Sequence, residues 1–188
     1  MHSGCHGRRE LGLFEAPMRL LKSVRGLTYC ELPNIEECCG FGGLMDTANP
    51  ALAAKVLQRR ISQSSAGFLT YCIMCREQLA RTTRPVLHVL DLLFPETAVR
   101  AEEPPLGLSS RRENRRRLQA MILEGHYGEH APAPEAWRSI RLQIGPELVP
   151  ILENRRILEE DIRRDLWLAG QEGQAFCHGS SGTRLASA

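Results

Sequence analysis

No run of apolar residues in this chain approaches the roughly 18 that a membrane-spanning helix needs. Its opening also lacks the basic, apolar and small-residue order of a secretion signal, so a cytoplasmic location is expected. Lysine is almost absent: only Lys22 and Lys55 stand against 22 arginines, and the formal net charge is just +2. A near-neutral chain gives no support to nucleic-acid binding, and the arginine excess reads as composition bias rather than a binding surface. Aromatic residues are few, with five Phe, two Trp and three Tyr in 188 residues, so ring packing alone is a thin basis for a core. Still, 43% hydrophobic and 24% charged residues exclude a disordered chain. The length suits one medium domain, or a small domain with an appendage.

What the chain does have is cysteine. Cys5, the adjacent pair Cys38 and Cys39, and the Cys72-Ile-Met-Cys75 tetrapeptide recur at even intervals, with 32 residues between Cys5 and Cys38 and 32 between Cys39 and Cys72. In a chain with no secretion signal, seven cysteines favour metal binding or redox chemistry over structural disulfides. Thiolates gathered at one point repel, at roughly 4 kcal/mol for a pair about 4 Å apart at an effective dielectric near 20, so a cation must neutralise them. Soft sulfur ligands select zinc, copper(I) or iron–sulfur clusters. A tetrahedral zinc needs four ligands. Five sulfurs, two on neighbouring residues, suit a polynuclear centre better, with one of the five a spare in the zinc case. Cys30, in the apolar run Leu27-Thr28-Tyr29-Cys30, reads as a small buried hydrophobe, and Cys177 beside His178 reads as a chance pairing.

These residues carry a resemblance. Ser3-Gly4-Cys5-His6, Cys38-Cys39-Gly40 followed by Phe41-Gly42-Gly43, and Thr70-Tyr71-Cys72 leading to Cys75 resemble the cysteine-rich CCG domain of heterodisulfide reductase and of related glycolate oxidase, lactate oxidation and succinate:quinone reductase iron–sulfur proteins. The resemblance covers about residues 1–95. It implies that Cys5, Cys38, Cys39, Cys72 and Cys75 ligate a noncubane [4Fe-4S] cluster. The family has a strand leading into its first cysteine, whereas only Met1 to Gly4 precede Cys5, so that strand is expected to be missing or supplied by another chain. Relatives commonly carry two such motifs; this chain has one. Gly40, Gly42 and Gly43 let backbone approach a bulky inorganic group, and their N–H groups are candidate donors to it; a tight turn into the next helix accounts for them equally well.

Periodicity supplies the frame. Phe14 to Val24 reads as a helix with Leu20, Leu21 and Val24 on its apolar edge, and Leu27 to Leu32 as a buried strand. Asn49-Pro50 starts a helix with Leu52, Val56, Leu57 and Ile61 facing inward. Gly67 to Tyr71 reads as a strand running into Cys72, with a helix beginning at or after the Cys72 to Cys75 turn, and Val86 to Phe94 is a further apolar element. Alternating strands and helices indicate an α/β domain with a small parallel sheet, its ligand site at the carboxyl ends of the strands. A linker is expected over 96–110 and a mostly helical extension over 111–173. That extension opens on a Ser110-Arg111-Arg112-Glu113 capping box, with Leu118, Met121 and Ile122 inward and an arginine cluster, Arg111 to Arg117, read as a solvated helix face. Ile157 to Ala169 reads as an amphipathic helix with Leu158, Ile162, Leu166 and Ala169 on one face. Residues 174–188 read as a flexible or truncated tail.

Histidines are rival ligands. His2 and His6 bracket Cys5, and either can complete a Cys/His zinc site or hydrogen-bond to a cluster; a non-ligand role is favoured for both. His88 reads as a satisfied core or edge residue, and the glycine between His126 and His130 weakens them as a metal pair.

Three functions follow from different classes. The leading expectation is an iron–sulfur electron-transfer module of a multi-subunit oxidoreductase resembling heterodisulfide reductase, receiving electrons from a flavin or ferredoxin-like subunit. The alternative is a zinc-stabilised structural or interaction module using four of the five thiols. Last comes a metal-free dithiol reductase built on Cys72 and Cys75, which leaves Cys5, Cys38 and Cys39 unexplained and lacks the Trp-Cys-Gly-Pro-Cys context.

Overall fold

The computed structural model describes residues 1–172, 175–177, 180 and 184–186. The chain divides into two compact units, Met1–Pro105 and Leu106–Ala188.

The first unit is α/β. Strands β1, Phe68–Thr70, and β2, Val86–His88, pair in parallel, with Phe68 opposite Val86 and Thr70 opposite His88. The strand leading into Cys5, expected to be missing, is present as a stub: His2 forms a parallel bridge to Thr70, and its N–H donates to the Leu69 carbonyl at 2.8 Å. Successive strand residues face opposite ways. Phe68 accordingly joins Leu32, Cys39, Leu57, Cys75, Leu79 and Val86 in one buried cluster. Leu69 joins Met1, Leu21 and Val89 in another.

Helix α1 covers Cys5–Arg9 and α2 covers Glu15–Ser23; Leu21 of α2 is buried, while Leu20, expected on its apolar edge, is 41% exposed. No strand forms over Leu27 to Leu32. The stub beside this segment is too short to offer a ladder, and contributes only a hydrogen bond from the Met1 ammonium to the Cys30 carbonyl. The segment keeps the alternation of a strand, half-burying Leu27 and Tyr29 and turning Cys30 outward, which corrects the reading of Cys30 as buried.

After α3, Met45–Ala48, helix α4 runs Pro50–Ile61. Asn49 caps it, its side-chain oxygen accepting the Leu52 N–H at 3.0 Å, and Pro50 takes the first turn where its missing N–H costs nothing. The inward face is Ala53, Leu57 and Arg60; Leu52 is 47% exposed, one position off the expected stripe, because the buried side follows Arg60. Helix α5, Ile73–Leu79, starts directly from β1 through a turn in which Thr70 Oγ1 accepts the Cys72 N–H at 3.2 Å. His88 closes β2 by a reciprocal cap: its Nδ1 accepts from Leu90 N–H, and its own N–H donates to Asp91. The apolar run from Val86 thus splits into a strand and a 3-10 turn, Val89–Leu92. A second 3-10 helix, Pro95–Glu102, occupies the segment expected as linker. The buried Arg76 guanidinium holds it by donating to the carbonyls of Arg100 and Glu103.

In the second unit, α6 is Leu108–Ile122 with Gly107 at its cap, so Ser110 lies inside the helix and caps nothing. The start is displaced because the Glu153 carboxylate accepts the Leu108 N–H, at 2.8 and 3.1 Å, and serves as the cap from a distance. Leu118, Met121 and Ile122, expected inward, are 55%, 68% and 44% exposed. No residue of α6 is buried, and its arginines stay largely exposed as expected, with Arg112 pairing with Glu160 and Glu113 meeting Arg116, Arg117 and Arg138. Helix α7 spans Val149–Arg155 and α8 spans Glu159–Glu172; Ala169 is buried, whereas Leu166 is 39% exposed. Strands β3, Ala175–Cys177, and β4, Arg184–Ala186, pair antiparallel; apart from these and Ser180, the segment read as a tail, including His178, and the Cys177 side chain lie outside the described residues.

Replacing Asn49 by Ala removes the cap of α4 and is expected to lower unfolding free energy by about 1 kcal/mol, read as a lower urea midpoint at unchanged slope.

Candidate metal centre

Four of the five predicted sulfurs come together at the carboxyl end of β1. Cys72 follows β1 as the N-cap of α5 and Cys75 lies in the first turn of that helix, a spacing that turns both sulfurs to the same side. Cys39 Sγ is 3.5 Å from Cys75 Sγ, and both residues are buried. Cys38 sits beside them, half-buried, with the Gly40 N–H donating to its sulfur at 3.3 Å. Cys5 opens α1 immediately after Gly4 and is half-buried. Gly4 lies against the others: a Cβ there would be 3.5 Å from Cys75 Sγ and 3.8 Å from the Cβ of Cys72. Cys30 is exposed and outside the group.

The glycines divide by role. Gly40 adopts φ +91°, and a Cβ would lie 2.5 Å from the Ala53 carbonyl oxygen, so the backbone of the pair passes flush over α4. A Cβ on Gly42 would lie 3.3 Å from Cys38 Sγ. Gly43 has open space around it and takes φ +61° as a turn residue only.

Proton sharing among the sulfurs follows from their proximity. Cys39 is held far below the ordinary thiol range by hydrogen bonds from Cys38 and Cys75, against the opposing effect of burial. The donors move the other way: Cys38 and Cys75 are pushed up, Cys38 by sharing its proton with Cys39 and Cys75 by sharing one between Cys39 and Cys72, and both then by burial. Cys72 is pulled down to about 5, by a hydrogen bond from Cys75 and then by the N–H groups of Cys75 and Met74. Proximity therefore favours the anionic form at Cys39 and Cys72 and the protonated form at Cys38 and Cys75.

One residue that the spacing argument set aside belongs to this site. His2 is fully buried, and a ring nitrogen, Cys39 Sγ and Cys75 Sγ lie within 4.8 Å of one another. Its Nδ1 accepts the Nε–H of Arg60 at 3.0 Å. Arg60 is the other residue the sequence hid, because an arginine in a chain so rich in them carries no signal of its own. Its Nη1 donates to the carbonyls of Pro33 and Asn34 and to Gln63, and Glu37 stands 3.6 Å away. His6, the other rival ligand, is exposed.

The donor set fits an anionic sulfur-ligated group. Ser3 Oγ and Arg60 Nη2 are buried with no hydrogen-bond partner, which is costly unless a further acceptor completes them. The sulfurs come from three separated segments, as a bridging inorganic centre requires.

With that geometry in place, the comparisons agree. Residues 1–80 match the cysteine-rich domain family CCG. The chain is 39% identical over 71 residues to lactate utilization protein A of Oceanobacillus iheyensis, covering 36% of this chain and 29% of that protein. The namesake of Bacillus cytotoxicus is 43% identical over 61 residues, covering 32% and 26%, and that of Bacillus thuringiensis 37% over 73 residues, covering 39% and 30%. The chain thus spans under a third of the length of these relatives. No solved structure matches it. Domain, relatives and cysteine geometry together support an iron–sulfur, redox-related module that binds metal through its cysteines. Among the described residues, no helix is long and apolar enough to cross a membrane.

Gly40→Ala combines a left-handed φ with a clash against backbone. It is expected to cost about 1–3 kcal/mol and to lower metal uptake together with the melting temperature.

Proposed function

We propose that Cys5, Cys38, Cys39, Cys72 and Cys75 hold a noncubane [4Fe-4S] cluster, and that the chain is an iron–sulfur module of a multi-subunit oxidoreductase resembling heterodisulfide reductase. The observation that carries this reading is the convergence of Cys38, Cys39, Cys72 and Cys75 at one strand end, with Gly4 bringing the Cys5 segment against them. Bound there, such a cluster accepts and releases single electrons.

The chain's own residues do the rest. Cys39 and Cys72, held low, would meet a metal as thiolates, whereas Cys38 and Cys75, held high, would have to lose their protons to bind it. Gly40 and Gly42 direct backbone N–H groups at Cys38, lowering its thiol and damping the negative charge that reduction adds. Arg60 places a buried guanidinium among the same sulfurs, where burial and the thiolates pull its proton affinity in opposite directions. Leu32, Leu57, Phe68 and Leu79 close the inner side against water.

In this reading electrons arrive from a flavin or ferredoxin-like subunit, the assembly is cytoplasmic, and the shared name of the matched relatives favours a setting in lactate utilization. Zinc on four of these thiols is the competing occupant.

Protein purified without oxygen is expected to contain iron and acid-labile sulfide, and Cys38→Ser with Cys39→Ser to lose both. Stoichiometric zinc with no iron would overturn the assignment. Because Cys39 and Cys75 belong to the apolar core, stripping the metal is expected to lower the melting temperature markedly; an unchanged transition after complete removal would contradict the coupling.

A further inference from the structure

Arginine has only donors to offer. The Nε–H of Arg60 points at His2 Nδ1 at 3.0 Å, so Nδ1 must be the bare, accepting nitrogen, and the ring's single proton must sit on Nε2. That ring is fully buried, three residues before Cys5, with a nitrogen within 4.8 Å of Cys39 Sγ and Cys75 Sγ. His2 also hydrogen-bonds to Cys39, and Nε2 meets no other partner within the protein. A protonated Nε2 has no lone pair for a metal. It can only donate.

Arg60 is itself held in place. Two backbone carbonyls, Pro33 and Asn34, and the Gln63 side chain take its Nη1 protons, at 2.8, 3.2 and 2.6 Å. Glu37 Oε2 lies 3.6 Å from the same nitrogen and accepts from Gln63 at 2.5 Å. The guanidinium side chain is wholly inaccessible, so it cannot swing away to free Nδ1. This arrangement has the form of a relay: a fixed cation orients a neutral imidazole, and the imidazole presents one N–H to anionic sulfur.

We infer that His2 is a tuning donor rather than a metal ligand. Held in its Nε2–H form by Arg60, it hydrogen-bonds to the Cys39 sulfur or to the cluster beside it and raises the reduction potential. The inference rests on the cluster assignment made above. Its physical basis is that a donor to sulfur stabilises the more negative, reduced state, and that such a bond is worth more in a dry site than in water. The thiols and the histidine therefore play different parts, although the donor atoms of His2, Cys39 and Cys75 lie close enough together to suggest one mixed Cys/His metal site.

The test uses the full chain loaded with iron and sulfide without oxygen. In the metal-free wild type, nitrogen NMR of the His2 ring is expected to show the Nε2–H tautomer; an Nδ1–H ring overturns the inference without any variant having to fold. In loaded protein with 15N-labelled histidine, pulsed EPR of the paramagnetic state is expected to show a weak nitrogen coupling that His2→Ala removes; a strong coupling of directly bonded nitrogen overturns it. His2→Ala is expected to make one-electron reduction about tenfold less favourable, a fall of about 59 mV in midpoint potential, and His2→Gln, which restores an N–H at a similar reach, to recover most of it. A loaded His2→Ala protein with an unmoved potential overturns this inference alone. A wild type that takes up no iron and sulfide overturns the cluster assignment instead.

Discussion

Cys39 and Cys75 bring two sulfurs to 3.5 Å inside an apolar cluster, and both cannot be thiolates there unaided. At an effective dielectric near 20 the repulsion would be about 5 kcal/mol, comparable with the whole stability of a small domain. Protons kept on Cys38 and Cys75 relieve it in the metal-free protein. A metal centre relieves it more completely, by neutralising every sulfur at once. Since the same two cysteines pack against Leu32, Leu57, Phe68, Leu79 and Val86, the redox site and the main core of the first unit are one object. That explains how a chain with so few aromatic residues can order this region: the inorganic contacts stand where ring packing would otherwise be.

Arg60 ties the frame around the sulfurs. Through its hydrogen bonds it joins the amino-terminal stub at His2, the loop at Pro33 and Asn34 that leads to the cysteine pair, and the end of α4 at Gln63. An arginine buried this deeply is expensive unless every donor is met and a counter-charge is near. Glu37 and the anionic sulfurs supply that counter-charge, and the one Nη2 left without a partner marks where the metal-free arrangement is incomplete.

Much of this was legible beforehand because its signals are local. Cysteine spacing located the centre, the Asn49-Pro50 pair located the start of α4, and a short apolar run into Cys72 located β1. What stayed hidden depends on which partner an element meets. His2 resembles any histidine near a chain terminus until Thr70 bridges to it, and Arg60 is one of 22 arginines. Leu27 to Leu32 has the alternation of a strand, but pairing requires a neighbour long enough to form a ladder. In the second unit Ser110 and Glu113 have the spacing of a capping box, yet Glu153, 45 residues away from Leu108, supplies the cap. There the apolar stripe at Leu118, Met121 and Ile122 stays exposed, since α6 buries no residue and is held by ion pairs from Arg112 to Glu160 and from Glu113 to Arg138.

A sheet of two three-residue strands and a stub is marginal on its own. Its value lies in register. The bridge from His2 to Thr70 aligns two parallel segments so that both leave the sheet at the same end, one into Gly4 and Cys5, the other into Tyr71 and Cys72. The Cys38-Cys39 loop is then brought down on them by Gly40, whose missing side chain permits contact with Ala53. Closing each loop of 32 residues costs about 3 kcal/mol of chain entropy, more than three-residue strands can be expected to repay. Bonds to sulfur at the meeting point can repay it, and so the short strands and the metal centre are each sufficient only in the presence of the other.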